Sequence, residues 1–233
     1  FLLLIFTQSC FYFKENPLYP TTPTGLLLKN LSEQSSSESS DGSSGRSSKR
    51  LLFVTAYIGA GNIAYWPFSG SNAIEKADNA CNSDSNKPDG NFYKAMIVDG
   101  TNRQACVNSN CTDQAENIDW VFKPNTDYYR VDGTYLFTTN SAGIVTGNLA
   151  SPILETSKDY WTGLDFDWRS SPSYNCSLWV TDASMGIFGR STSTNSEWYS
   201  YPSPIYCSSS FHYFMCGAIN RCQDEHPKKF IFK

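Results

Sequence analysis

Glu155, Asp165 and Asp167 are the acids that could form a carboxylate pair for glycoside hydrolysis. That chemistry needs one acid and one base held at a set separation. Nothing in the sequence sets it, and solvated loop acids are common. Histidine occurs twice, at His212 and His226. His212 lies between Cys207 and Cys216 in an expected terminal strand, so a structural or surface role is expected. No Gly-x-Ser-x-Gly elbow and no phosphate-binding glycine loop occurs. The chain is therefore not read as an enzyme, and no cofactor is expected. Eight cysteines point to an oxidising compartment. Cys106 and Cys111 could start a zinc site, but no second Cys or His pair completes a tetrahedral set. Two aromatic clusters, Tyr65-Trp66 with Phe68 and Trp198-Tyr199 with Tyr201, fall in Gly/Ser/Pro-rich stretches. Trp66, Trp198 and Tyr199 are candidate ligand contacts, because exposed Trp and Tyr favour binding hot spots. Core packing under long loops is the other reading.

The chain has 233 residues and a net charge of −4, which gives no electrostatic case for nucleic acid. No apolar run reaches the roughly 20 residues needed to span a bilayer. Residues 1–10 read as the end of a secretory signal. Thr7-Gln8-Ser9-Cys10 resembles a lipoprotein processing site, with Cys10 as the lipidated residue. Residues 11–49 combine prolines with a Ser-rich run, a composition that cannot offset ordering entropy. They are expected to be a disordered tether with a span of ~35 Å. A folded domain is expected over 50–222 and a basic tail over 223–233.

Leu51–Thr55 reads as a first strand. Ile74, Ala77 and Cys81 recur on one helical face, with Ser71 or Asn72 as N-cap. Residues 93–98 read as a strand ending at Asp99-Gly100. Tyr128–Val131 and Thr134–Phe137 flank Asp132-Gly133, which suits a type I′ hairpin. Residues 143–206 are rich in Ser, Gly, Pro and Asn, so much of that stretch is expected to be loop. Phe211–Cys216 reads as the last strand. The expected class is α+β, loop-rich and disulfide-stapled, with few helices and one twisted sheet.

A helix ending in Cys81, then Tyr160-Trp161-Thr162-Gly163-Leu164, then Cys176-x-x-Trp179, then Cys207 and Cys216, resembles the C-type-lectin-like fold, and more closely the endostatin domain. Further phrases resemble the leptospiral endostatin-like surface lipoproteins. They are Ala77-Asp78-Asn79-Ala80-Cys81, Tyr93-Lys94-Ala95-Met96, Val98–Arg103, Trp120-Val121 and Lys123–Thr126. The resemblance covers about residues 50–217. It departs after Cys216, where this chain continues through Cys222 to a basic, aromatic end.

The resemblance implies the pairs Cys81–Cys216 and Cys176–Cys207, with Cys106–Cys111 closing a local loop. The sequence alone leaves fifteen connectivities for these six cysteines. The resemblance also implies a surface adhesin, lipid-anchored in an outer membrane or secreted. Its implied partners are laminin, fibronectin, plasminogen and, in some members, complement factor H, with a role in virulence. A carbohydrate-binding lectin and a secreted glycan-processing enzyme are the alternatives. Lys123-Pro124-Asn125 carries Lys where calcium-dependent sugar sites place an acid, which argues against calcium. Lys228, Lys229 and Lys233 are candidate plasminogen contacts, since Lys233 would present an ammonium and a free carboxylate together.

Overall fold

Strand β1, Lys49–Val54, alternates its side chains between two cores. Leu52 and Val54 enter one, and Phe53 enters the other. The computed structural model describes residues 49–209 and 212–219. The helix α1, Ala73–Ser83, starts at Asn72, whose side chain accepts from Glu75 N at 2.9 Å. Its buried face is Ala73, Ile74, Ala77, Ala80 and Cys81. Strand β2 is Phe92–Ala95, β3 Asp127–Arg130, β4 Tyr135–Thr138 and β9 Met215–Ile219. With β1 they form one five-stranded sheet, ordered β2-β9-β1-β3-β4. The β1–β3 pair is parallel; β9 runs antiparallel to both β1 and β2. Short strands complete the described residues' pairings: β5 (Asp159–Trp161) pairs β7 (Phe188–Arg190), and β6 (Met185–Gly186) pairs β8 (Ile205–Tyr206). The class is mixed α and β, mostly strands with few helices.

The edge strand β2 is closed by side chains. Asn82 accepts from Tyr93 N at 3.0 Å and donates to Tyr93 O at 2.7 Å. Asp78 accepts from Ala95 N at 2.8 Å, and Arg103 donates to Ala95 O at 2.8 Å. Every outward main-chain group of Tyr93 and Ala95 is thus occupied, which blunts edge-to-edge pairing. Arg103 is fully buried and also pairs with Asp78 and Asp119.

Among the described residues there are three bridges: Cys81–Cys216 ties α1 to β9, Cys176–Cys207 ties two late loops, and Cys106–Cys111 closes a short loop. Several expectations need correction. The strand expected over 93–98 ends at Ala95. Beyond it, Val98 N turns to Thr162 O at 2.8 Å and leaves the sheet. The hairpin at Asp132-Gly133 forms, but not as type I′, because only Gly133 has positive φ (+88°). Asp132 instead accepts from Thr134 N at 2.9 Å through its side chain. The last strand begins at Met215, while His212 and Tyr213 make isolated bridges to Gly59 and Tyr160. Lys49, expected in the tether, opens β1. Cys10, Cys222, His226 and the rest of the expected signal, tether and tail lie outside the described residues.

Candidate functional site

A surface cleft of about 620 Å³ sits where three loops meet. Its first wall runs from Asp99 and Gly100 through Gln104 to Cys106 and Val107. The second contains Asp165, Arg169 and Ser170, and the third Pro172, Asn175 and Leu178. Asp99 builds the first wall: its carboxylate accepts from the main-chain N–H of Thr101, Asn102 and Arg103 at 2.7–3.0 Å and from the Asn102 amide at 2.7 Å. The second wall is a tight turn in which Asp165 N donates to Arg169 O at 2.9 Å. Trp168 anchors it from below, at φ +67° and stacked on Tyr199 at 4.0 Å. The first and second walls are tied by Cys106 N to Trp168 O at 3.2 Å and Asn110 N to Asp167 O at 2.8 Å.

The third wall is the least common piece of backbone. Cys176, Ser177, Leu178 and Trp179 all have positive φ, between 52° and 63°. This left-handed turn costs roughly 1–2 kcal/mol for each L-residue. It is held by the Cys176–Cys207 bridge, by Asn175 accepting from Leu178 N at 3.1 Å, and by buried Trp179 donating to Val98 O at 2.8 Å. Leu178 is consequently pushed outward and is 48 % exposed. Val107, on the opposite rim, is 59 % exposed. Phe166, Tyr174 and Val180 are exposed nearby in sequence.

Electrostatically the cleft leans negative. Burial raises the Asp165 carboxyl above its ordinary range, partly offset by a hydrogen bond from Ser171; Asp167 adds to the rise and Arg169 opposes it. Arg169 is already committed, with Nε 2.8 Å from Asp167 Oδ2. Ser170 Oγ is buried without a hydrogen-bond partner.

A family model described as "Protein of unknown function (DUF1554)" matches residues 67–197. The chain belongs to this family. No curated protein matches the chain. The DUF1554 span contains α1 and all three walls of the cleft.

Within the DUF1554 span the three candidate acids separate. Glu155 binds Arg130 at 2.8 Å and does not line the cleft, whereas Asp165 and Asp167 share one turn. Lys123-Pro124-Asn125 forms the turn before β3, with Lys123 N donating to the Tyr128 hydroxyl at 2.9 Å, and none of the three lines the cleft. Among the described residues no group of three or more His, Cys, Asp or Glu could hold a metal ion. No helix among them is long and apolar enough to cross a membrane.

The aromatic candidates are corrected by burial. Trp66 packs on Tyr57 and Phe214 and donates to Ala60 O at 3.1 Å. Trp198 is fully buried among Phe122, Phe137 and Trp168, and Tyr199 is buried against Trp168. None is an exposed contact; Tyr65, at 76 % exposure, is the outward member of its cluster. Lys228, Lys229 and Lys233 lie outside the described residues. Gln104, Val107 and Ser170 line the cleft with no signal in the sequence, and Leu178 stands there only within the run Cys176-Ser177-Leu178-Trp179, in which no glycine marks the left-handed turn.

Proposed function

We propose that this protein is a surface adhesin with a C-type-lectin-like, endostatin-like domain, acting by binding rather than catalysis. One observation carries the reading. Val107 and Leu178 stand exposed on backbone that disulfides and buried tryptophans hold still. Apolar groups presented on immobile backbone lose little conformational entropy when a partner covers them. Isolated exposed side chains need no explanation, but a rim of them around a cleft suits a contact surface. The proposed partners are laminin, fibronectin, plasminogen and complement factor H. The proposed location is the cell surface, with Cys10 as lipid anchor, or the secreted fraction.

The test is a binding screen of the chain against these four macromolecules, with a glycan array run with and without chelator. Binding to at least one macromolecule, and no chelator-sensitive glycan signal, is expected. A chelator-sensitive glycan signal with no macromolecular binding supports a calcium lectin instead.

A further inference from the structure

We propose that the cleft receives a lysine or arginine side chain from a partner polypeptide, its cationic head against Asp165 and its methylene stem against Val107, Pro172 and Leu178. The proposal deepens the reading of this face as a protein-binding surface and rests on it. Charge selects the occupant. Asp99 and Asp165 line the cleft with the single guanidinium of Arg169, which Asp167, outside the lining, already engages. The Asp99 carboxylate is consumed by the loop it caps. Among the described residues no ion pair forms at Asp165, leaving a part-buried carboxylate facing a void. A cation placed there would restore the stabilisation that water gave it. The charged groups facing Asp165 are Asp167 and Arg169 on its own turn and Asp99 across the cleft; the third wall contributes only the amide of Asn175.

Shape and hydrogen bonding agree. At about 620 Å³ the space exceeds one side chain, so a flanking stretch of the partner would also enter. An alkyl stem suits the apolar rim, as long cationic side chains bury their methylenes and keep the head in polar surroundings. Ser170 Oγ, buried and lacking a partner, is an acceptor for one N–H of the head. An acidic side chain would add a second negative charge beside Asp165, and a neutral donor would hydrogen-bond it without countering its charge.

The experiment titrates the full chain with N-acetyl-arginine methylamide and N-acetyl-lysine methylamide, followed by NMR. N-acetyl-norleucine methylamide, which keeps the stem and drops the charge, is the control. The basic amides should bind weakly and shift signals of the cleft walls, with norleucine bound at least about tenfold more weakly, the size of a lost charge-assisted contact. Asp165→Asn should weaken the basic amides by about the same factor, while Glu155→Gln leaves them unchanged. Gln104→Lys supplies an internal competitor and should abolish binding even if Asp165→Asn folds poorly. Equal binding of norleucine, or basic-amide binding that survives Gln104→Lys, overturns the assignment. Capture of matrix proteins with no basic-amide binding leaves the adhesin reading intact and removes this one. Basic-amide binding that depends on Asp165, without macromolecular capture, does the reverse.

Discussion

His212 shows what burial does to a single titratable side chain. It is 4 % exposed, stacked on Trp161 at 4.2 Å and edge-on to Phe188, and neither ring nitrogen has a hydrogen-bond partner. Burial lowers its pKa from 6.5 to about 4. Above pH 6.5 both folded and unfolded chains hold it neutral, so it adds no pH dependence. As pH falls from 6.5 to about 4 the unfolded chain binds a proton that the folded protein refuses, and stability declines. The loss approaches ~3 kcal/mol at the acid end. Asp159 and Asp165, whose carboxyls are raised by burial, work in the opposite sense. A difference measurement therefore isolates the histidine: denaturant melts of wild type and His212→Phe should diverge below pH 6.5, with the variant holding its stability. Parallel pH profiles would remove His212 as the cause. Arg103 is the other residue with a large expected effect. Its guanidinium serves Asp78, Asp119 and Ala95 O from a fully buried position. Arg103→Met should cost about 3–5 kcal/mol in denaturant melts, because two carboxylates and the closed edge of β2 lose their partner.

At the scale of elements, α1 was legible because its apolar spacing and cap follow from local chemistry, and Asn72, one of two candidate caps, makes the hydrogen bond. Strand β1 was legible from its apolar, β-branched run. What the sequence could not show was long-range. The place of β9 between β1 and β2 joins segments more than 120 residues apart. The pairs β5–β7 and β6–β8 are too short to carry a period. Trp66, Trp198 and Tyr199 could be surface or core by composition alone, and only packing decides. The left-handed turn at Cys176–Trp179 was invisible for a different reason: it holds four residues that ordinarily avoid positive φ, so the restraint is tertiary. This gives a test of handedness. Ser177 sits at φ 53°, ψ 59°. Ser177→Gly should hold or raise stability by up to about 1 kcal/mol, since relief of the left-handed strain outweighs the added chain entropy. In a right-handed turn the same change would lower it. Gly163→Ala should be clearly destabilising in the same melts, because φ is +69° and a Cβ would stand 2.7 Å from Val98 O.

For the whole molecule, the late cysteines close the fold that the loops alone could not hold. The Cys81–Cys216 bridge spans 135 residues, and its removal should cost up to about 5 kcal/mol in the chain-entropy account. A Cys81→Ala/Cys216→Ala double variant should melt far below the wild type. The proposed contact rim, exposed Val107 and Leu178, lies beside the other two bridges, Cys106–Cys111 and Cys176–Cys207. The most direct measurement is surface plasmon resonance of the full chain, wild type against Val107→Asp/Leu178→Asp, over laminin, fibronectin, plasminogen and factor H. Both positions are exposed, so the variant should keep its fold and its melting curve. Wild type should bind at least one of the four, and the variant should bind that partner about tenfold more weakly or worse, the loss expected when central apolar anchors become charged. Undiminished binding by a folded variant, or no binding by the wild type to any of the four, would contradict the account.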